Sequence, residues 1–377
     1  MSELLRPIEL LRPAAVEFGA GTAASVGRWA TANDHTGTLI VADAFNAKRV
    51  DMLGLTGEVT VFGDVEPEPS VPNLERLLAV AEAAQPDLVV GFGGGSAMDL
   101  AKLAAVLLGS GQTLAEVIGP ERANRRRCAL VQVPTTSGTG SEAGTRALVT
   151  DPVTQNKLAV QSRHMLADLA VIDPELTLTV PAPITAATGV DALAHCVEAF
   201  TNRKAHPAID HYALEGIRLV GRYLACAVTD GGDREARAGL ALASFYGGIC
   251  LGPVNTTAGH AVAYPLGTRH HIPHGAACAL IFPHTLTFNA PVTRERTAAI
   301  LRALQLEVAG DDEGVIRAAA YGYCASLGLE MRLSRLGVPE SDLETMAEEA
   351  HAIRRLLDNN PRDISREDIL AIYRMAF

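Results

Sequence analysis

The first half of the chain alternates short apolar, β-branched runs with stretches of helical periodicity. Four such runs predict strands: Thr38–Ala42, Glu58–Phe62, Asp87–Phe92 and Cys128–Val133. The spacing of apolar residues between and after them predicts helices over 73–84 and 97–108. Strands and helices that alternate in this way are typical of a parallel sheet covered by helices.

From about Pro181 the strand signals fade, and Ala-, Leu- and Arg-rich sequence with helical periodicity takes over. Near the end, Ser365 and Asp368 are spaced to cap a final helix that runs to about Met375. The pattern therefore predicts an α/β domain over residues 1–180 and a helical domain over residues 181–377.

Composition excludes several classes of partner. The chain carries 32 Lys+Arg against 43 Asp+Glu, a net charge of −11, and Arg125–Arg127 is too short a basic run to attract nucleic acid. The six cysteines are scattered without a CxxC pair, which favours reduced thiols and a cytoplasmic location. We expect no signal peptide and no membrane span, because no apolar run reaches about 18 residues.

Two glycine- and hydroxyl-rich loops follow predicted strands. Gly91–Ser96 leads from a strand into a helix, where flexible backbone and free N–H groups can approach a diphosphate. Pro134–Glu142 offers small hydroxyl donors after the next strand. Each loop alone is also compatible with a plain turn, since the first lacks the GxGxxG spacing. Both loops at the carboxyl ends of neighbouring strands favour a nucleotide site.

Asp43 closes the strand Thr38–Ala42. In a dinucleotide site, an acid at this point accepts hydrogen bonds from the adenosine ribose and repels a 2′-phosphate, which favours NAD over NADP. Without the glycine loops, an ordinary strand-ending aspartate explains the residue equally well.

The second half contains a candidate metal site. Asp191 and His195 are four residues apart, so a helix places them on one face. His260 and His274 supply two further imidazoles, and one carboxylate with three imidazoles suits Fe(II) or Zn(II). Spacing alone leaves open whether these segments meet, because single histidines are often surface or core residues.

Six motifs in order resemble the iron-containing (group III) alcohol dehydrogenase family over essentially the whole chain. They are GGGSAMDLAK at 93–102, PTTSGTGSE at 134–142, VIDPELTLTVP at 171–181, GVDALAHCVEAF at 189–200, HAVAYPLG at 260–267 and IPHG at 272–275. The resemblance implies a Rossmann-like α/β domain followed by an all-α domain, the architecture shared with dehydroquinate synthase. It also implies NAD, a divalent metal (Fe(2+), with Zn(2+) as an alternative), a small alcohol or aldehyde substrate and a homodimer.

The resemblance also implies roles for individual residues. Carried over by position, the metal ligands are Asp191, His195, His260 and His274. The cofactor contacts are Asp43, Gly94, Gly95, Ser96, Asp99, Thr135, Thr136, Thr139 and Lys157.

Tyr264 departs from the family pattern. Several members have a histidine there, four residues after the third ligand, that relays a proton. A tyrosine hydroxyl can pass a proton, but its ordinary pKa of about 10 makes it a poorer relay near neutrality. The alternatives are that Tyr264 only lines the site, or that His270 or His271 serves as the relay.

Arg146 maps near the substrate, where its guanidinium can pair with a carboxylate or phosphonate, or else makes a structural ion pair. The sequence thus predicts an NAD(H)-dependent alcohol–aldehyde oxidoreductase. A maleylacetate-reductase-like oxo-acid reductase is the enzymatic alternative, and a non-catalytic nucleotide-binding protein is the alternative from another class. Glycerol dehydrogenase and dehydroquinate synthase share the architecture, but their motifs fit less closely.

Overall fold

A computed structural model describes residues 3–154, 156–310 and 312–377. The chain forms two compact units. An α/β unit comprises Leu10–Thr136 and Gly140–Leu178. A helical unit comprises Thr179–Phe377, together with the segment ending at Glu9 and the short segment Ser137–Thr139.

The α/β unit contains the strands of the described chain. They are β1 Ala15–Phe18, β2 Gly37–Ala42, β3 Glu58–Phe62, β4 Leu88–Gly93, β5 Gly119–Pro120, β6 Ala129–Pro134, β7 Arg146–Asp151, β8 Asn156–Gln161 and β9 Leu169–Ile172. Its helices are α1 Ser25–Ala32, α2 Val71–Ala84, α3 Gly95–Leu107 and α4 Leu114–Val117. The four strands and two helices predicted from the sequence are confirmed within two residues at each end.

The main sheet has the order β1-β9-β6-β4-β2-β3, and all its pairings are parallel. After β2 the chain adds β3 on one side, and it then returns to place β4 on the other side of β2. The strand order therefore reverses between β2 and β4. In open parallel sheets, ligands bind outside the carboxyl ends of the strands at such a reversal.

Burial on both faces explains why the central strands read as continuous apolar runs. Along β2, Leu39 and Val41 pack into the core on one face, whereas Ile40 and Ala42 pack into the core on the other. A second sheet, in the order β5-β8-β7, joins an antiparallel hairpin to a short parallel strand. Its strands β7 and β8 went unpredicted because charged and polar residues interrupt their apolar pattern.

The helical unit contains ten α-helices among the described residues. They are α5 Ala182–Thr201, α6 Pro207–Thr229, α7 Arg234–Val254, α8 Ala258–His270, α9 His274–Asn289, α10 Arg294–Ala303, α11 Glu313–Ser326, α12 Leu343–His351, α13 Arg354–Leu357 and α14 Arg366–Ala376. Helix α5 is buried along most of its length against α6, α7 and α9. The predicted capping box is confirmed, because Ser365 and Asp368 cap α14 reciprocally.

No single described helix has the length and apolar character needed to cross a bilayer. Helices α7 and α8 have that length and apolar character only when taken together, and their axes are bent by 106° at the break between them.

Candidate metal and nucleotide sites

Three helices of the helical unit bring the predicted metal ligands together. Helix α5 supplies Asp191 and His195, one turn apart on the same face, while α8 supplies His260 and α9 begins with His274. The Nε2 atoms of the three histidines converge on Asp191 Oδ1, at 3.4 Å from His260, 3.5 Å from His274 and 3.8 Å from His195. The rings of His195 and His260 stack with centroids 4.6 Å apart.

This cluster fits a divalent cation. Asp191 Oδ1 and His260 Nε2 are buried and have no hydrogen-bond partner within the described part of the chain. Buried polar atoms are normally paired, since leaving one unpaired costs about 1–3 kcal/mol. A metal ion coordinated by these atoms at about 2.0–2.2 Å would satisfy them together.

The carboxylate of the cluster is ionised. Burial by itself would raise the pKa of Asp191, but the nearby imidazoles, His195 and His274 above all, outweigh burial and hold the pKa well below its usual range. Burial lowers the pKa of His195 to about 4, so that imidazole is neutral near pH 7. Burial also works to lower the pKa of His274, but Cys278 and Asp191 outweigh it and raise that pKa to about 10, so a cation that binds His274 Nε2 must displace a proton. His274 is 31% exposed while the other side chains are buried, so the cluster is accessible at His274.

Glu198 is part of the site, although the sequence reasoning missed it. Its Oε1 lies 2.6 Å from His260 Nδ1, and its Oε2 accepts hydrogen bonds from the Thr257 backbone N–H and hydroxyl. These contacts fix His260 with Nε2 directed at Asp191. The available signal was a carboxylate seven residues after Asp191 on the same apolar helix, which places both on one face.

Tyr264 lies beside the cluster, one turn after His260 on α8. Its ring centroid is 5.9 Å from that of His274 and 6.5 Å from that of His260. The Arg355 guanidinium lies over the ring at 5.5 Å. Burial works to raise the pKa of Tyr264, but Arg355 and the two imidazoles outweigh it and lower the pKa below 10. The position is suited to a proton relay, and that role stays a prediction.

His270 and His271 lie at the other end of α8. His270 is ten residues beyond His260, a rise of about 15 Å along the helix, and its Nε2 lies 3.4 Å from Asp342 Oδ2. His271 ends the helix with a φ of 54° and is exposed. Tyr264 is therefore the better placed of the three candidates.

In the α/β unit, the glycine loop lies at the carboxyl end of β4, at the reversal of strand order. Gly94 is the N-cap of α3 and Gly95 its first residue, so the N–H groups of the first turn are available to an anion. A Cβ at Gly93 would lie 2.8 Å from Ala97 Cβ and 3.3 Å from Asp43 Oδ2. Glycine is required here because the helix and β2 approach the backbone so closely.

Asp43 belongs to a hydrogen-bonded network that joins three strand ends. Its Oδ1 accepts from the backbone N–H of Phe45 and Asn46, and its Oδ2 accepts from Asn46 Nδ2 at 2.6 Å. Asn46 Nδ2 also donates to Thr135 Oγ1 at 3.2 Å. Asp43 and Thr135 thus lie around Gly93, and Thr136 Oγ1 is close to Gly94.

Ser96 and Lys157 are linked through Glu68. Lys157 Nζ lies 2.6 Å from Glu68 Oε2, and the Glu68 backbone N–H donates to Ser96 Oγ at 3.2 Å. These contacts hold both predicted cofactor residues beside the glycine loop.

Asp99 and Lys102 anchor the second loop to α3. Asp99 accepts hydrogen bonds from Ser141 Oγ at 2.5 Å and from the Leu148 backbone N–H at 2.9 Å. Lys102 is fully buried and donates to Ser141 Oγ and to the Arg146 carbonyl. Asp99 therefore has a structural role, and its predicted contact with the cofactor stays a prediction.

Two predicted residues lie apart from these groups. Thr139 belongs to the segment Ser137–Thr139 of the helical unit, so the α/β unit does not bring it together with the glycine loop. Arg146 begins β7, and its Nε donates to Gln161 Oε1 at 3.1 Å. Their roles as nucleotide and substrate contacts stay predictions.

Two family models cover nearly the whole chain. Residues 13–174 match the model described as iron-containing alcohol dehydrogenase, and residues 185–377 match the Fe-containing alcohol dehydrogenase family, C-terminal. The chain belongs to the iron-containing alcohol dehydrogenase family, and it is therefore an oxidoreductase of alcohols and aldehydes. The family implies a metal and NAD(H).

Individual relatives agree. Long-chain-alcohol dehydrogenase 1 of Geobacillus thermodenitrificans is 36% identical over 361 residues, which cover 90% of this chain and 89% of the relative. A crystal structure of 1,3-propanediol oxidoreductase superposes with a TM-score of 0.92 at 32% identity, covering 99% of this chain and all of that one. Sulfoacetaldehyde reductase from Bifidobacterium kashiwanohense, solved with NAD+, gives 0.88 at 28% identity, with 98% and 99% covered.

Proposed function

We propose that this protein is a cytoplasmic, homodimeric NAD(H)-dependent dehydrogenase of small primary alcohols and their aldehydes, and that Asp191, His195, His260 and His274 hold its metal. The observation that carries the proposal is the convergence of three imidazoles on Asp191 Oδ1. The two unpartnered buried atoms support it, because protein groups in the described chain leave them unsatisfied.

A divalent metal would supply Lewis-acid polarisation of an alcohol or aldehyde oxygen, and NAD(H) the hydride chemistry. Asp191 provides the negative charge that retains the cation, and Glu198 fixes the orientation of His260. Tyr264, whose ring lies beside that of the partly exposed His274, takes a proton from the substrate side of the site or returns it. In the α/β unit, the first turn of α3 binds the diphosphate, and Asp43 accepts from the adenosine ribose.

The reconstituted enzyme tests the proposal directly. Chelator-stripped protein, loaded with Fe(II) or Zn(II), should reduce NAD in the presence of one or more short primary alcohols, as NADH absorbance reports. The stripped protein should be inactive until metal returns. The panel should include neutral alcohols and diols, assayed with NAD, and aldehydes with and without a carboxylate or sulfonate, assayed by the oxidation of NADH. Absence of turnover across the panel with both metals would contradict the proposed activity.

The acidic members of the panel address the alternative substrate class. Arg146 is a candidate partner for an anionic group, and a solved relative is named sulfoacetaldehyde reductase. Higher kcat/KM on acidic than on neutral aldehydes of the same length would favour an oxo-acid or sulfonated substrate. A lower kcat/KM on the acidic aldehydes would indicate that Arg146 has the structural contact with Gln161 rather than a contact with the substrate.

Asp43→Asn tests the ribose site. The amide keeps an oxygen to accept from Phe45 and Asn46, but it removes the charge that would repel a 2′-phosphate. We expect the ratio of kcat/KM for NAD over NADP to fall about tenfold, or about 1.4 kcal/mol. Asp51→Asn, an exposed aspartate in the same stretch of chain, is the control and should leave the ratio unchanged. An unchanged ratio in Asp43→Asn would place the ribose elsewhere.

A further inference from the structure

Cys278 lies against the metal-ligand cluster. It follows His274 by four residues on α9, so both side chains lie on one face of the helix. Its Sγ is 3.7 Å from His274 Nε2, and the residue is 2% exposed. One donor atom from each of Asp191, His260, His274 and Cys278 lies within 4.8 Å of all the others.

The spacing of these atoms matches a coordination shell. Bonds of about 2.0–2.3 Å from a central ion to nitrogen, oxygen and sulfur place tetrahedral ligands about 3.3–3.8 Å apart. Asp191 Oδ1 lies 3.4 Å from His260 Nε2 and 3.5 Å from His274 Nε2, and the sulfur is 3.7 Å from the latter. The sulfur is thus at a ligand-to-ligand distance from His274 Nε2 and lies within 4.8 Å of a donor atom of Asp191 and of His260.

Buried atoms without a hydrogen-bond partner lie in the same cluster as Cys278. Asp191 Oδ1, His195 Nδ1 and His260 Nε2 are buried without a hydrogen-bond partner in the described chain, and Asp191 and His260 belong to the group that includes Cys278. His195 lies outside that group, although its Nε2 is 3.8 Å from Asp191 Oδ1. The cluster thus offers one more donor than the family's four ligands.

We propose that Cys278 supplies a thiolate ligand, in addition to Asp191, His195, His260 and His274, to the metal that these residues hold. The inference rests on the proposed function, since it concerns the same metal. On binding, the Sγ–H bond breaks, a metal–sulfur bond forms and the proton leaves to solvent. Thiolate is a soft ligand, so it biases the site toward Zn(II) or Co(II) relative to Fe(II).

Cobalt(II) tests the proposal without reference to activity. Chelator-stripped full-length protein is titrated with Co(II), and its absorption spectrum is recorded. We expect one equivalent to produce visible ligand-field bands together with a near-ultraviolet thiolate-to-cobalt charge-transfer band. Cys278→Ser should keep the visible bands and lose the charge-transfer band. Cys250→Ser is the matched control, because Cys250 is also buried but its Sγ contacts the Ile209 carbonyl, and it should keep both.

X-ray absorption of the zinc-loaded wild type serves as a measurement that needs no variant, and it should show one sulfur neighbour at about 2.3 Å. Visible cobalt bands without charge transfer, or zinc with only nitrogen and oxygen neighbours, would overturn the role of Cys278 and leave the metal site intact. If wild type and Asp191→Asn alike bind no metal, the metal site of the proposed function fails as well.

Discussion

Asp191→Asn should lower kcat/KM for the best alcohol by at least about a thousandfold, or about 4 kcal/mol of transition-state stabilisation. The reason is geometric, because Asp191 Oδ1 is the atom on which three imidazole nitrogens converge. An amide has nearly the same shape, but it is a neutral and weaker ligand. Asparagine carries no charge, so the substitution removes the negative charge that balances a buried cation.

Metal content and unfolding distinguish ligand loss from misfolding. The variant should purify with less than about a tenth of the wild-type metal, whereas its metal-free form should unfold near the temperature of the metal-free wild type. Asp210→Asn is the control. Asp210 on α6 pairs with Arg296 on α10, and neither helix supplies a predicted metal ligand. We expect its kcat/KM and metal content to stay within about twofold. Full metal occupancy with wild-type turnover in Asp191→Asn would refute the assigned ligand.

Glu198→Gln should raise the metal dissociation constant about 10–100-fold, the usual effect of losing a carboxylate that orients a ligating histidine. Burial works to raise the pKa of Glu198, but His260 outweighs it and lowers that pKa, so the carboxylate is ionised. Glutamine retains one oxygen for Thr257 but removes the charge that holds His260 Nδ1–H. His260 Nε2 then loses its fixed direction toward Asp191.

Metal affinity is the readout that a purely structural role would not change. It is measured by competition with a chromophoric chelator, alongside the free energy of unfolding. Gly259→Ala should have the same effect, because its Cβ would lie 2.5 Å from Glu198 Oε1 and would displace that carboxylate. Glu215→Gln, an exposed residue paired with Arg218, should leave the affinity unchanged. Wild-type affinity in both test variants would mean that His260 needs no carboxylate partner.

The elements that the sequence predicts are those in which local periodicity and burial coincide. Strands β2, β3, β4 and β6 were predictable because their apolar runs are continuous and punctuated by glycine or proline. The hairpin of β7 and β8 was not, since its stability comes from pairing and packing that a polar sequence does not reveal. The final helix was predictable because its capping box is local.

Some residues of the candidate sites were likewise predictable from local spacing, and others were not. Asp191 and His195 could be placed together by helical spacing alone, and the same spacing relates Cys278 to His274. No spacing in the sequence relates Glu198 to His260, which are 62 residues apart and in direct contact. Asp43 was identified as a strand-ending acid, but its link through Asn46 to Thr135 depends on the order of strands in the sheet.

By itself, the sequence determined the fold class, the two glycine- and hydroxyl-rich loops and, through its motifs, the family, and it predicted a four-residue ligand set. These features follow from local periodicity, backbone flexibility and residue type. Only the tertiary structure decided that α5, α8 and α9 bring three imidazoles to one carboxylate oxygen, with Glu198 behind His260 and Cys278 beside His274. Such convergence arises from helix packing between distant segments, and packing depends on the whole buried core rather than on any local pattern.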